Sequence, residues 1–421
     1  MRVDGKVKVP GDKSISHRSL MLAALADGSS TIRGILDSAD VRSTATVLRT
    51  LGVGIPELSA DFTVTGSGAR ALREPAADLD CGNSGTTTRL VAGIASACPF
   101  TSRFVGDASL SRRPMLRVAR PLGAMGARFD FESGDGLPMR ITGGALSPIT
   151  WNSETASAQI KSAILLAGIA AGVEVEVREP SRSRDHTERM LAAQGAKVAV
   201  HGSTVKLAPP SSGRLEPLCI TVPSDPSSAA FMAALAALAD EGAMELPDVC
   251  LNPTRTGFFR ALGLMGARIE TGGTRREGGE DVGTVTVHPS QLRAIDLPVE
   301  DVPSMIDELP LLGCVAARAE GATRVRGAAE LRVKESDRIA TVVSNLRAIG
   351  VAAEEAPDGF TVTGSDRPLA GRVRTLGDHR IAMAFGVLAA IPGNEIEVDD
   401  HSCVSVSYPA FWDDVRRAVV D

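Results

Sequence analysis

The chain has 421 residues, 43% of them hydrophobic, 3% aromatic and 23% charged, with a formal net charge of −6. That length points to two or three domains with ample cores built from Ala, Val, Leu and Ile, and the acidic balance excludes a general nucleic-acid binder. No apolar run reaches the ~18 residues of a membrane span, and the six scattered cysteines contain no CxxC pair, so neither a membrane helix, a zinc site nor a thioredoxin-like motif is expected. Met1–Gly5 opens straight into a strand-like "KVKV" (6–9); no signal peptide, and a cytoplasmic protein with reduced thiols, are expected.

Taken in chain order, the predicted elements repeat. "SLMLAALADGSSTIRG" (19–34), "RLVAGIASACPFTSRFVG" (89–106), "AILLAGIAAGVEVEV" (163–177), "AFMAALAALADEGAMEL" (230–246), "LLGCVAARAEGATRVRG" (311–327) and "AMAFGVLAAIPGNEIEV" (382–398) share one form. Each reads as a small-residue helix, a turn and an alternating strand. Between them, "LRTLGVGI" (48–55), "LGAMGARF" (122–129), "LAAQGAKV" (191–198), "LGLMGARI" (262–269) and "LRAIGVAA" (346–353) read as the end of an amphipathic helix, a capping Gly and a strand.

Six copies of a strand–helix–strand–helix–strand unit result. The last ends in "YPAFWDDVRRAVV" (408–420), and "RVDGKVKVP" (2–10) is expected to supply its missing strand, bringing the chain ends together. Helices this rich in Ala and Gly are apolar nearly all round and should be buried. Two lobes of three repeats each follow, with a boundary at "ITVPSDPSSAAF" (220–231), where two prolines interrupt the pattern. One lobe is expected to combine 1–11 with 224–421, the other to span 12–223. "TGGTRREGGEDVG" (271–283) reads as an exposed hairpin loop.

Polar residues gather where each buried helix begins: Gly11–Arg18, Cys81–Arg89, Ser157–Ser162, Ser224–Ser228, Asp307–Glu308 and Asp378–Arg380. Asp, Ser, Thr and Asn are ordinary N-caps, and Ser224–Ser228 is read that way. Capping does not account for Lys13, Arg18, Arg89 or Arg380. Cations oppose the dipole at a helix N-terminus and persist there when an anion lies between. Arg112 and Arg113, Arg182 and Arg184, and the pair Lys334 and Arg338 with Glu335 beside them add further positive clusters. Four residues apart, Lys334 and Arg338 are expected to share one helical face. A substrate with several negative charges is indicated.

Seven motifs carry a family resemblance: "PGDKSISHR" (10–18), "GNSGTTTR" (82–89), "SLSRRPM" (109–115), "SAQIKSA" (157–163), "SRDHTE" (183–188), "VKESDR" (333–338) and "GDHRIAM" (377–383). In this order, over essentially the whole chain, they resemble the 5-enolpyruvylshikimate-3-phosphate synthase (3-phosphoshikimate 1-carboxyvinyltransferase) family. "SRDHTE" and "ELRVKESDR" are similar to its divergent second bacterial class. The resemblance implies an α/β fold: a two-lobe inside-out α/β barrel with three βαβαββ-type repeats per lobe and buried parallel helices. It implies shikimate 3-phosphate ligands at Lys13, Ser14, Arg18, Ser157, Ala158, Gln159, Ser181, Arg184, Asp307 and Lys334. Phosphoenolpyruvate ligands are implied at Lys13, Asn83, Gly85, Arg113, Gln159, Arg338, His379 and Arg380. Asp307, Glu335 and Lys13 are the implied catalytic groups, with no cofactor or metal, and a monomer without nucleic-acid or membrane partners is expected.

The cations and hydroxyls of "GDKSISHR" would then hold two anionic substrates. Several positions depart from the family pattern. Val406 stands where many members have Lys, Glu330 where many have Asn, Leu90 where many have Pro, and Arg184 where a tyrosine lines the shikimate-phosphate site. Gly85 is where members tolerant of the herbicide glyphosate often carry Ala; partial tolerance is expected here.

The implied reaction joins the 5-hydroxyl of shikimate 3-phosphate to C2 of phosphoenolpyruvate while C3 is protonated, and a tetrahedral intermediate then loses phosphate. One group must take a proton and another give it. Closing of two lobes would exclude water from that intermediate. Two alternatives stand beside this reading. UDP-N-acetylglucosamine enolpyruvyl transferase shares the repeat fold, but it lacks a "GDKSISHR" segment and usually carries a loop cysteine. A catalytically inactive anion-binding relative is opposed by intact Asp307, Glu335, Lys13 and the arginines.

Overall fold

The computed structural model describes residues 1–420. Its α-helices, in chain order, are α1 (Lys13–Leu25), α2 (Ala39–Thr50), α3 (Gly85–Ser96), α4 (Ala108–Ser111), α5 (Leu116–Met125), α6 (Ala158–Ala171), α7 (His186–Ala193), α8 (Pro226–Ala237), α9 (Gly257–Leu264), α10 (Leu309–Ala316), α11 (Arg338–Ala348), α12 (His379–Ala389) and α13 (Phe411–Ala418). The chain divides into two compact units. One holds Met1–Pro10, Pro223–Arg275 and Asp281–Asp421; the other holds Gly11–Val222 and Arg276–Glu280. Among the described residues no helix is long and apolar enough to cross a membrane, and all six cysteines are free thiols.

The unit of residues 11–222 has three sheets, each starting with a parallel pair that flanks a buried helix. Cys219–Thr221 runs parallel to Asp27–Arg33, Leu79–Asp80 to Thr101–Val105, and Ile149–Asn152 to Val175–Arg178. Parallel neighbours need a crossover. In the last two pairs α3 and α6 supply it; in the first, the partner strand arrives from the far end of the unit. Antiparallel strands then extend each sheet: Asp61–Ser67 in the first, Met139–Thr142 and Arg128–Phe131 in the second, Thr204–Ala208 and Lys197–His201 in the third. The element order from Ile149 to Ala208 is strand, α6, strand, α7, strand, strand.

The other unit repeats the pattern. Arg2–Lys6 lies parallel to Glu241–Cys250 and antiparallel to Val419–Val420, with Val3 opposite both Gly242 and Val419. The chain termini therefore pair side by side. Ala370–Val373 is parallel to Glu395–Val398. Ala322–Val325, Gly359–Thr363 and Ala352–Ala356 form an antiparallel sheet, joined in parallel through the bridges Arg293 to Glu320 and Asp296 to Arg324.

Burial follows composition. Every residue of α8 is buried, as are Ile15–Leu25 of α1. A helix without a polar face is stable in water only when it is covered all round. Side chains of Asp12, Ser84, Ser157, Asp225 and Asp378 cap α1, α3, α6, α8 and α12. The glycines ending the amphipathic helices, Gly52, Gly126, Gly195, Gly266 and Gly350, all have positive φ.

Two sequence expectations are corrected. Residues 271–283 are not a loop: Arg268–Glu277 and Glu280–His288 are long strands joined at Gly278–Gly279, both with positive φ. That is the conformation a two-residue hairpin favours. Thr271–Arg276 is exposed, but Glu280, Val282 and Gly283 are buried. Nor do Lys334 and Arg338 share a helical face. Lys334 is extended after the 3₁₀ turn Ala329–Val333, and α11 starts at Arg338 because the Asp337 side chain accepts the Ala340 N–H.

Candidate active site

In the unit of residues 11–222, the N-terminal turns of α1, α3 and α6 are tied together. Gly93 fixes how closely α3 and α6 approach: a Cβ there would lie 2.2 Å from the Ala163 carbonyl oxygen. At the start of these helices Arg89 Nη1 donates to Gln159 Oε1 at 2.8 Å, and Gln159 Nε2 to Thr86 Oγ1 at 3.3 Å. Gly85 is the first residue of α3, and a Cβ there would meet Arg89 Nη1 at 2.7 Å and Arg113 Nη1 at 3.5 Å. Arg113 Nη2 donates to Asn83 Oδ1 at 2.8 Å. A bare backbone at a helix N-terminus between two guanidiniums is an anion-binding arrangement.

α1 brings Lys13, Ser14 and Arg18. Lys13 Nζ pairs with the carboxylate of Asp40, in the first turn of α2. Arg18 is buried; its Nε donates to Thr187 Oγ1 at 2.7 Å, Nη2 to Ser162 Oγ at 2.8 Å and Nη1 to the Ser14 carbonyl at 2.9 Å. α1 and α3 are joined through hydroxyls. His17 Nδ1 lies 2.7 Å from Thr44 Oγ1, Thr44 Oγ1 lies 2.7 Å from Thr87 Oγ1, and Thr87 Oγ1 donates to Ser84 Oγ at 2.7 Å. Burial pushes the His17 pKa down to about 3, against the pull of Asp40 and with help from Lys13 and Arg18. The ring is therefore neutral at pH 7. Ser157 caps α6 and Ala158 opens it; Ser181 is exposed and Arg184 half-buried in the segment before α7.

In the other unit, Asp307 lies in a 3₁₀ turn ahead of α10. Its Oδ1 faces two cations, Arg338 Nη1 at 3.1 Å and Lys334 Nζ at 3.3 Å. Arg338 has 2% of its side chain exposed and is gripped on its other edges. Nη2 donates to Glu335 Oε2 at 2.7 Å, and Nε and Nη2 donate to the two oxygens of Asp378 at 2.8 and 3.2 Å. Burial opposes the Arg338 charge, but Asp378, Glu335 and Asp307 outweigh it and raise the pKa further. Burial would raise the Asp378 pKa; Arg338 overrides it and holds the carboxyl below its usual range.

Asp378 also accepts the Arg380 N–H at 2.9 Å and Ser336 Oγ at 3.0 Å, so one carboxylate sets both arginines of "GDHR" and "KESDR". Arg380 lies 3.8 Å from Glu308 and over the Phe231 ring at 5.9 Å; His379 opens α12 and is buried. Val406 and Glu330 lie in 3₁₀ turns, Ser402–Val406 and Ala329–Val333.

Each unit thus gathers its share of the sequence-derived residues. The first has Lys13, Ser14, Arg18, Asn83, Gly85, Arg113, Ser157, Ala158, Gln159, Ser181 and Arg184; the second has Asp307, Lys334, Glu335, Arg338, His379 and Arg380. Sequence reasoning missed Asp40 and Asp378. Asp378 was visible as an N-cap, but its grip on Arg338, 40 residues earlier, exists only in the folded chain. Nothing local marks Asp40.

A profile of the EPSP synthase family, described as EPSP synthase (3-phosphoshikimate 1-carboxyvinyltransferase), matches residues 1–415. A 3-phosphoshikimate 1-carboxyvinyltransferase of Sulfurihydrogenibium sp. (strain YO3AOP1) is 46% identical over 99% of this chain and 97% of its own length. One from Geobacillus kaustophilus (strain HTA426) is 47% identical over 98% and 97%. The solved EPSP synthase from Acinetobacter baumannii superposes with a TM-score of 0.87 at 41% identity, covering 99% of this chain and 96% of that one. The enolpyruvyl transferase NikO from Streptomyces tendae shares the fold, with a TM-score of 0.77 at 20% identity over 100% and 96%. With whole-length matches of this strength, the chain belongs to the EPSP synthase family.

Proposed function

We propose that the two sets of side chains together supply the anion binding and the proton transfer of one reaction. The chain is an enolpyruvyl transferase: it transfers the enolpyruvyl group of phosphoenolpyruvate to the 5-hydroxyl of shikimate 3-phosphate and releases phosphate. In the proposal Lys13, Ser14, Arg18, Ser157, Ala158, Gln159, Ser181 and Arg184 bind shikimate 3-phosphate, with Asp307 and Lys334 at its reacting side. Lys13, Asn83, Gly85, Arg113, Gln159, Arg338, His379 and Arg380 bind phosphoenolpyruvate.

Asp307 takes the proton of the 5-hydroxyl as its oxygen bonds to C2, and a proton passes to C3 from Glu335 or Lys13. The C2–O bond to phosphate then breaks as one C3 proton returns to the group that supplied it, which forms the enol ether, and the proton held by Asp307 leaves with the released phosphate. The guanidiniums balance the charge gathering on the leaving phosphate, and fixed donors do this better than mobile water. The observation that carries the assignment is the placement of Asp307 Oδ1 against both Lys334 and Arg338. Arg338 is immobilised by Glu335 and Asp378, so the acceptor oxygen is held in place before substrate arrives. The two units are read as the lobes of an inside-out α/β barrel pair, and the protein as a cytoplasmic monomer.

Asp307→Asn tests the assignment. It keeps the shape and removes the proton acceptor. kcat is expected to fall by roughly 10²–10⁴, with shikimate 3-phosphate affinity within a few-fold of wild type. Near-normal turnover of the variant in a phosphate-release assay would remove Asp307 from this role.

A further inference from the structure

Three ionisable side chains lie buried together in the unit of residues 11–222 and take no part in the chemistry above. Lys161 of α6 and Glu179 each have 1% of the side chain exposed, and Glu188 of α7 has 3%. Lys161 Nζ lies 2.8 Å from Glu179 Oε2 and 2.9 Å from Glu188 Oε1. Burial alone would discharge the lysine, but Glu188 and Glu179 outweigh it and hold it as an ammonium. Buried ion clusters of this kind often add no stability over apolar residues of the same volume. Net stability is therefore a weak reason for this one.

Glu179 spends its oxygens on more than the lysine. Oε1 accepts the backbone N–H of Ser157 at 2.9 Å; Oε2 accepts Ser183 Oγ at 2.8 Å and the Ser183 N–H at 3.4 Å. Lys161 adds a bond to the Ser183 carbonyl at 3.4 Å. Ser157 is the N-cap of α6, two residues before Gln159; Ser183 stands between Ser181 and Arg184. One carboxylate therefore pins two separate chain segments to each other. Both segments carry side chains that the reading above gives to shikimate 3-phosphate.

We propose that Glu179 is a positioning residue for shikimate 3-phosphate, holding the Ser157–Gln159 turn and the Ser181–Arg184 segment at the spacing this ligand needs. The proposal rests on the assignment of those two segments to that substrate. A neutral amide at position 179 cannot do the same. It would turn an N–H donor toward the donors of Ser157 or Ser183 and leave Lys161 one carboxylate short. Displacement of binding groups by a fraction of an ångström is enough to weaken a multiply contacted anion.

The test is Glu179→Gln, assayed by phosphate release with each substrate varied in turn. The KM for shikimate 3-phosphate is expected to rise about 10- to 100-fold, while kcat stays within about three-fold and the KM for phosphoenolpyruvate, which shares only Gln159 of these segments, rises several-fold less than that for shikimate 3-phosphate. A merely structural role would lower the folded, active fraction and leave the shikimate 3-phosphate KM unchanged; that result overturns the proposal. Should Glu179→Gln fail to fold, Ser183→Ala decides, because it deletes only the Oγ bond. It is expected to raise the same KM about three- to ten-fold with Tm within about 2 °C, and an unchanged KM there also overturns the proposal. Wild-type turnover in the same assay tests the activity separately: a normal wild type with unmoved KM values in the variants sinks the positioning role alone.

Discussion

At the residue scale, His17 and Gly85 show how much depends on surroundings that a motif does not display. His17 belongs to "GDKSISHR", where it looks like a third cation, yet burial holds it neutral with a pKa near 3. The unfolded chain binds its proton near pH 6.5, so between those values the unfolded state carries more protons than the folded one. Stability is then complete above the unfolded pKa and declines as pH falls toward the folded one. From about pH 7.5 to about pH 5.5 the group removes about 1.4 kcal/mol. His17→Asn should lose that much less stability over the same range in urea denaturation. Equal losses in the two proteins would mean that His17 does not titrate as its burial requires. Gly85 is argued from space. A methyl group there would displace the Arg89 guanidinium, whose far end is flexible, and loosen its bond to Gln159. Gly85→Ala is therefore expected to weaken glyphosate, the longer anion, about ten-fold more than it raises the KM for phosphoenolpyruvate. Inhibition curves at matched phosphoenolpyruvate saturation measure the difference, and equal shifts would place Gly85 away from the extra space the inhibitor uses.

At the scale of elements, the buried helices and their glycine-capped partners were legible because composition alone dictates them: a helix of Ala, Leu and Gly has no face to give to water. What was not legible depends on which segments meet. The start of α11 was misplaced because the Asp337 cap competes with simple four-residue spacing. The strands through 271–283 were hidden by their glycines: Gly272, Gly273 and Gly283 lie within the strands, and Gly278–Gly279 form the two-residue turn. Asp40, Asp378 and Glu179 act on partners far away in sequence, and no local pattern encodes that. The α3–α6 approach is a case that can be measured. At Gly93 an added Cβ would strike the backbone of Ala163, whereas at Gly123, in α5, it would meet nothing within 4 Å. Gly93→Ala should destabilise by about 1–3 kcal/mol and raise the phosphoenolpyruvate KM as Arg89 and Gln159 part. Gly123→Ala should stabilise by about 0.4–1 kcal/mol. Changes of the same sign in both would show that helix approach is not what Gly93 provides.

At the scale of the whole molecule, the pairing of Arg2–Lys6 with Glu241–Cys250 and Val419–Val420 joins both ends of the described chain within one unit. The family match over residues 1–415 spans segments of both units, and each unit holds residues that the proposal gives to the reaction. The most direct test is phosphate release from phosphoenolpyruvate by the purified full-length protein, with shikimate 3-phosphate, with UDP-N-acetylglucosamine, and with neither acceptor. Phosphate is predicted to appear only with shikimate 3-phosphate, in equal amount to the acceptor consumed. Release with UDP-N-acetylglucosamine instead, or none with shikimate 3-phosphate, would contradict the account.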